Sequence, residues 1–198
     1  MTTPCETDPP WIATLVCGAS GVGKSHAARG LAARYNAPIG EADDIVTALK
    51  AITTSEHHPL LHSWENHPEA ADWDAERIAD LHLAVADALL PAFRAVIADH
   101  VESGAPIVLE GDYLLPELAA EEGVRAFVLT DDAQRITENY RSREPDQGDQ
   151  SRRAKVSTLI SDRLARRAGG IGIPVIPARP WPDTLDRIDQ ALRAAPPA

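Results

Sequence analysis

The chain has 198 residues, 44% of them hydrophobic, and a formal net charge of −11. That length suits one domain with a sizeable core and is short for two, while the acidic balance opposes general binding to nucleic acid or to an anionic membrane surface. Cys5 and Cys17 are too few for a disulfide framework, residues 1–10 lack the basic and apolar regions of a leader, and no run reads as a membrane span, so a reducing, cytoplasmic compartment is expected.

Residues 11–17 form a short apolar run suited to a central parallel strand, and residues 25–35 carry Ala27, Ala28, Leu31 and Ala32 at helical spacing. Between them Gly18, Gly23, Lys24 and Ser25 fit the pattern G-x-x-x-x-G-K-[ST]. Glycines in such a loop let backbone N–H groups, here those of Gly18, Ala19, Ser20, Gly21, Val22 and Gly23, come against phosphate oxygens. Lys24 then sets a point charge on the β- and γ-phosphates, and the Ser25 hydroxyl can ligate Mg2+. The positive end of the following helix points at the same anion.

Pro38 stops that helix, and residues 37–41 read as a second strand. Ile45, Leu49 and Ile52 share one helical face, so Asp43 or Asp44 is expected as the helix cap, which leaves the other carboxylate at the strand end where open α/β sheets bind ligands. Residues 53–73 are irregular and rich in His, Pro and Trp, and are read as a substrate-side insertion or packed loop anchored by Trp64 and Trp73. His58 and His62 share helical spacing, but no zinc-type pattern accompanies them.

The longest periodic segment is 75–103, in which Ile78, Leu81, Val85, Leu89, Phe93 and Ile97 step by three or four, with a kink expected at Pro91 and an end at Gly104. Residues 106–112 give a buried strand ending in Glu110 and Asp112, the place for an acid that holds Mg2+ through water or touches the substrate. A fourth strand covers 124–130, and Asp131 and Asp132 can cap a helix running to about Arg143. Arg141, Arg143, Arg152, Arg153, Arg163, Arg166 and Arg167 cluster around a polar connection at 144–150, either as a solvated helix face or as a closing lid. The last strand is 173–176, followed by Arg179, Pro180 and Trp181 and by a terminal helix marked by Leu185, Ile188 and Leu192; the Pro-rich start and the end 194–198 read as frayed. Alternating strands and helices predict one α/β domain with a five-stranded parallel sheet of order 2-3-1-4-5 and helices on both faces.

The run 18–25, the acids Asp43 and Asp44 after strand two, Glu110 and Gly111 after strand three and the Arg-rich segment together resemble the small-molecule kinase branch of P-loop proteins, which holds adenylate, shikimate and gluconate kinases. Asp43-Asp44-Ile45, Pro59-Leu60-Leu61-His62-Ser63 and Val108-Leu109-Glu110-Gly111 are similar to 2-phosphoglycerate kinase and its bacterial relatives, over about residues 12–180. The resemblance implies a P-loop NTPase fold with a lid at about 142–155 and a substrate-side insertion at about 53–74. It also implies ATP and Mg2+, with a hydroxyl of a small molecule as acceptor.

In that family's terms Lys24 would serve the phosphates, Ser25 the Mg2+ ion and Asp43 the acceptor hydroxyl, with Asp44, Glu110 and Asp112 beside the substrate. Arg141 would stack on adenine, Arg179 and Pro180 would cover its other face, and Arg152 and Arg153 would be catalytic arginines of the lid. Val46 stands where 2-phosphoglycerate kinase has an arginine, and Lys50 is the nearest basic residue downstream. The expected partners are ATP and a small hydroxylated substrate, with no nucleic acid or membrane, for a monomer or homodimer. Two alternatives remain: a kinase of a sugar nucleotide or antibiotic whose ring stacks at 64–73, and a nucleotide-dependent switch that docks a protein through its arginines.

Overall fold

Strand β1 (Ala13–Cys17) is buried along its whole length because it forms the middle of a parallel sheet of order β2-β3-β1-β4-β5 in this computed structural model. Residues 9–195 are described; Cys5, most of the Pro-rich start and the last three residues lie outside them. The neighbours of β1 are β3 (Ile107–Gly111) and β4 (Val124–Thr130), and the short edges are β2 (Ile39–Glu41) and β5 (Val175–Pro177). The two central neighbours are buried along most of their length and are largely apolar, with Glu110 in β3 and Arg125 in β4 as the charged exceptions. Register then fixes the functional edge: Cys17 lies opposite Gly111 and Val128, and Glu41 opposite Glu110.

Two helical layers cover the sheet, α1 (Lys24–Tyr35) with α7 (Trp181–Ala194) and α4 (Ala75–Ser103) with α6 (Ser151–Gly170), while α5 (Ala133–Arg143) leans on α6. Right-handed crossovers leaving β1 in both directions produce this division. Helix α4 runs unbroken through Pro91 to an αL cap at Gly104, and Asp132 caps α5 by accepting from Arg135 N. One expectation is overturned by α4: its most apolar window reaches a mean hydropathy of 1.6, so by length and composition it is long and apolar enough to cross a membrane. Here Ala79, Val85, Ala86, Leu89, Phe93 and Ile97 are buried in the core instead.

Helix α2 (Ala42–Ile52) departs from the predicted cap. The chain turns from β2 straight into the helix, Glu41 occupies the cap position without a side-chain cap bond, and Asp43 and Asp44 both lie in the first turn. Their charge there faces the positive end of the helix. The insertion contains a four-residue helix α3 (Ser63–Asn66) and a 3-10 turn (Pro68–Asp72). His62 Nε2 is 3.0 Å from Thr53 Oγ1 and His57 Nδ1 3.0 Å from Thr54 Oγ1, so these histidines tie the loop together. Most of the segment expected as a lid is helical: α5 ends at Arg143, a 3-10 turn covers Pro145–Gln147, and Arg152 and Arg153 belong to the first turn of α6.

Candidate active site

The loop after β1 takes backbone shapes that only glycine adopts without strain. Gly18 has φ 147° and Gly23 has φ 96°, and neither has room for a side chain: a Cβ on Gly18 would stand 2.6 Å from the carbonyl oxygen of Leu129, and one on Gly23 2.6 Å from the Trp181 ring. The start of α1 carries no side-chain cap and no acid in its first turn, which leaves its N–H donors for an anion. Lys24 is buried (8% exposed) and donates to Ala19 O at 3.0 Å, curled over its own loop. No carboxylate among the described residues lies within ion-pairing distance of it.

Ser25 donates to Glu110 Oε1 at 2.5 Å, across the sheet edge from the loop. Glu110 is buried at the end of β3, its register partner Glu41 ends β2, Asp43 follows in α2 and Asp112 comes just after β3. These acids and Lys24 line one cleft of about 670 Å³. The Asp43 carboxyl is pushed above the usual carboxylate range: the cleft walls strip part of its hydration although it stays exposed, Asp112 adds like charge, and Lys24 opposes both.

The residues present fit a magnesium–nucleotide complex. Among the described residues no cluster of three or more His, Cys, Asp or Glu forms a metal cage. A cation held mainly by phosphate oxygens and water needs little more from the protein than the Ser25 hydroxyl with Glu110 behind it.

Of the residues expected at the site, Ser20, Gly21, Gly23, Lys24, Ser25, Asp43, Glu110 and Asp112 line this cleft, while Gly18, Ala19 and Val22 are buried beneath the loop. Asp44, Arg141, Arg152, Arg153, Arg179 and Pro180 are not among its lining. Arg152 donates to the carbonyls of Ala71 and Trp73 in the insertion, and Arg153 pairs with Glu144 at 2.6 Å while covering the Tyr140 ring. Arg179 lies 3.5 Å from Asp131. Arg143, two residues beyond Arg141, is the arginine of α5 that reaches the cleft.

Sequence reasoning missed Asn139, Tyr140 and Trp181. The Asn139 amide donates to Gly21 O at 2.8 Å, the buried Tyr140 ring packs under Gly21 with its hydroxyl 2.7 Å from Ser157 Oγ, and Trp181 lies edge-on to His26 beneath Gly23. A signal existed for two of them, since Ile136, Asn139, Tyr140 and Arg143 recur at three- and four-residue steps on α5.

A strand, a glycine loop and a helix at the centre of a parallel 2-3-1-4-5 sheet define the P-loop NTPase fold. No protein-family model and no curated protein matches the chain. Among solved structures it is similar to a gluconokinase from Sinorhizobium meliloti 1021, at 17% identity and a TM-score of 0.52, over 92% of this chain and 91% of that one. A shikimate kinase from Bacteroides thetaiotaomicron aligns at 12% identity and 0.53 over 92% and 98% of the two chains. Another from Acinetobacter baumannii, in complex with shikimate, aligns at 14% and 0.53 over 91% and 92%. At such identities the likeness establishes a shared fold, and chemistry has to be argued from the site.

Proposed function

We propose that this chain is an ATP-dependent phosphotransferase, 2-phosphoglycerate kinase-like in its layout, that moves a γ-phosphoryl group to a hydroxyl of a small molecule. The observation that carries this reading is the single cleft in which Lys24 and the Ser25–Glu110 pair stand on one side and Asp43 on the other. A switch protein needs the first half of that cleft but not a partly desolvated carboxylate facing it.

In the proposed reaction the loop N–H groups and Lys24 hold the polyphosphate, with Lys24 exchanging its contact to Ala19 for phosphate oxygens. Ser25 and Glu110 would hold Mg2+, which would supply charge neutralisation for the polyphosphate. Asp43 orients the acceptor hydroxyl and takes its proton, a role its upward-shifted carboxyl suits. Arg143 lines the cleft but is paired with Glu144 at 3.1 Å, so it would serve the transferred group only by leaving that pair, while Arg152 and Arg153 act only if the start of α6 moves.

The test is ADP formation by the purified chain with Mg2+ and ATP across hydroxylated acceptors, with Lys24→Ala as control. Acceptor-dependent ADP that disappears in the variant is the expected result. ATP binding with slow hydrolysis that no acceptor stimulates would favour the switch reading.

A further inference from the structure

The carboxylate of Glu144 is divided between two arginines. Its Oε1 stands 3.1 Å from Arg143, and its Oε2 takes Arg153 at 2.6 Å. Both guanidiniums lie over the ring of Tyr140, Arg153 at 4.2 Å and Arg143 at 5.3 Å from its centroid. That ring is a fixed platform: it is buried, its hydroxyl is hydrogen-bonded to Ser157 Oγ, and its hydroxyl-bearing end packs under Gly21 of the phosphate loop.

The three charged residues differ in their access to the cleft. Arg143 shares a stripe of α5 with Asn139 and Tyr140 and lines the cleft with them, whereas Glu144 and Arg153 are not among its lining. Glu144 is the C-cap of α5, with its N–H bonded to Tyr140 O, so the carboxylate is anchored one residue beyond the arginine that it holds. Elsewhere on α6 each guanidinium faces two acids, Arg163 with Glu76 and Asp80 and Arg167 with Asp87 and Glu117. Here the ratio is reversed, one carboxylate to two guanidiniums, which leaves a surplus positive charge beside the phosphate loop of a chain whose net charge is −11. The Arg143 side chain is 53% exposed and that of Glu144 32%, so water screens their pair and it exchanges readily. A phosphoryl group carries more charge than a carboxylate, and beside buried Lys24 its attraction for Arg143 is screened less.

We propose that Glu144 is a positioning residue that competes with the γ-phosphoryl group of the nucleotide for Arg143, and that Arg153 sets the strength of this competition by holding the other carboxylate oxygen. This rests on the phosphotransferase reading above and adds to it the control of one cation. When a nucleoside triphosphate enters, Arg143 leaves Glu144 for the phosphate while Glu144 keeps Arg153, so the exchange leaves no charge unpaired. A diphosphate lacks the group that draws Arg143 away.

The experiment is calorimetric titration of the full chain with Mg2+ and either the β,γ-imido analogue of ATP or ADP. Glu144→Gln keeps the shape and removes the charge that detains Arg143; it should bind the analogue about threefold tighter and leave ADP affinity unchanged. Arg153→Gln gives Glu144 wholly to Arg143 and should weaken analogue binding by a similar factor. Double variants separate the two effects: Glu144→Gln should gain nothing when combined with Arg143→Gln, and Arg153→Gln should cost nothing once Glu144 is neutral. Unchanged or weaker analogue binding by Glu144→Gln, an equal gain for ADP, or a gain that survives Arg143→Gln would overturn the proposal. So would a loss from Arg153→Gln in the Glu144→Gln background, which would put Arg153 on the phosphate itself. Any of these in a chain whose analogue affinity still depends on Lys24 leaves the phosphotransferase reading standing, whereas a parent that binds no analogue removes both.

Discussion

The two sides of the cleft are built differently. On the side proposed for the nucleotide the wall is main chain: a loop fixed between β1 and α1, closed by Leu129 behind Gly18 and Trp181 beneath Gly23, and tied by Asn139 to Gly21 O. On the side proposed for the acceptor a three-residue edge strand, the first turn of α2 and the residue after β3 carry exposed or half-buried carboxylates that touch no partner among the described residues. A phosphate chain presents the same oxygens in every nucleotide, so its site can be made rigid from main chain. Recognition of a particular acceptor rests on a few side chains that substitution can change without disturbing the sheet.

The contrast breaks most sharply at Lys24. Lys24→Ala removes the charge proposed to meet the transferring phosphoryl group and should cost on the order of a thousandfold in kcat, about 4 kcal/mol of transition-state stabilisation. Steady-state ADP release checks it, and unchanged turnover would remove the phosphotransferase assignment. Asp43→Asn comes next, with a loss on the order of a hundredfold in kcat against a much smaller change in nucleotide affinity. In the parent, the acid limb of the kcat–pH profile should lie above the ordinary aspartate value of about 3.9, because burial and Asp112 favour the protonated carboxyl. An acid limb at the ordinary value would mean that a different group takes the proton.

The same contrast explains what was legible in the sequence. The loop from Gly18 to Ser25 could be read from spacing because each position has one physical job, and a parallel sheet covered on both faces followed from apolar runs alternating with amphipathic segments. The arginines could not be placed. On one helix Arg141 and Arg143 differ by about 200° in direction, and sequence alone does not say which faces inward. Arg152 was expected as an arginine of the lid itself, yet it is held by the Ala71 and Trp73 carbonyls, a contact between segments far apart in the chain that local pattern does not encode. Trp181 was noted only as a neighbour of Pro180, and its place under Gly23 depends on how α7 packs beside α1. The aspartate cap of α2 failed for a local reason: the helix follows β2 without a turn, so Glu41 takes the cap position with no side-chain cap bond and Asp43 and Asp44 fall in the first turn.

Gly23→Ala tests the rigidity of the nucleotide side through stability. The new Cβ would meet the Trp181 ring at 2.6 Å in a backbone region that alanine avoids. We expect a loss of about 2 kcal/mol, or roughly 4–8 °C in Tm, read by thermal denaturation without ligand. A variant as stable as the parent would mean that α7 yields easily and that the loop is not clamped from below.

The smallest expected effect has the opposite sign and belongs to the acceptor side. The folded chain raises the proton affinity of Asp43, chiefly by burial and then through Asp112, with Glu110 and Glu41 adding to the shift and Lys24 opposing it. Between the ordinary aspartate value and the raised one the folded state binds more protons than the unfolded state, so stability from this group falls as pH rises through that window. Above the window the ionised carboxylate destabilises the fold by a constant amount; below about pH 3.9 it is protonated in both states and contributes nothing. Asp43→Asn should therefore melt slightly higher than the parent at pH 7, with the gain vanishing as the pH falls below the window. Because Asp43 is exposed, water screens most of the effect, and the gain should be about 1 °C. A variant that loses turnover while gaining stability at neutral pH would identify Asp43 as a residue whose unfavourable placement serves the reaction. If it loses both, the carboxylate holds the α2 turn in place, and the acceptor wall is built by the same structural logic as the phosphate loop.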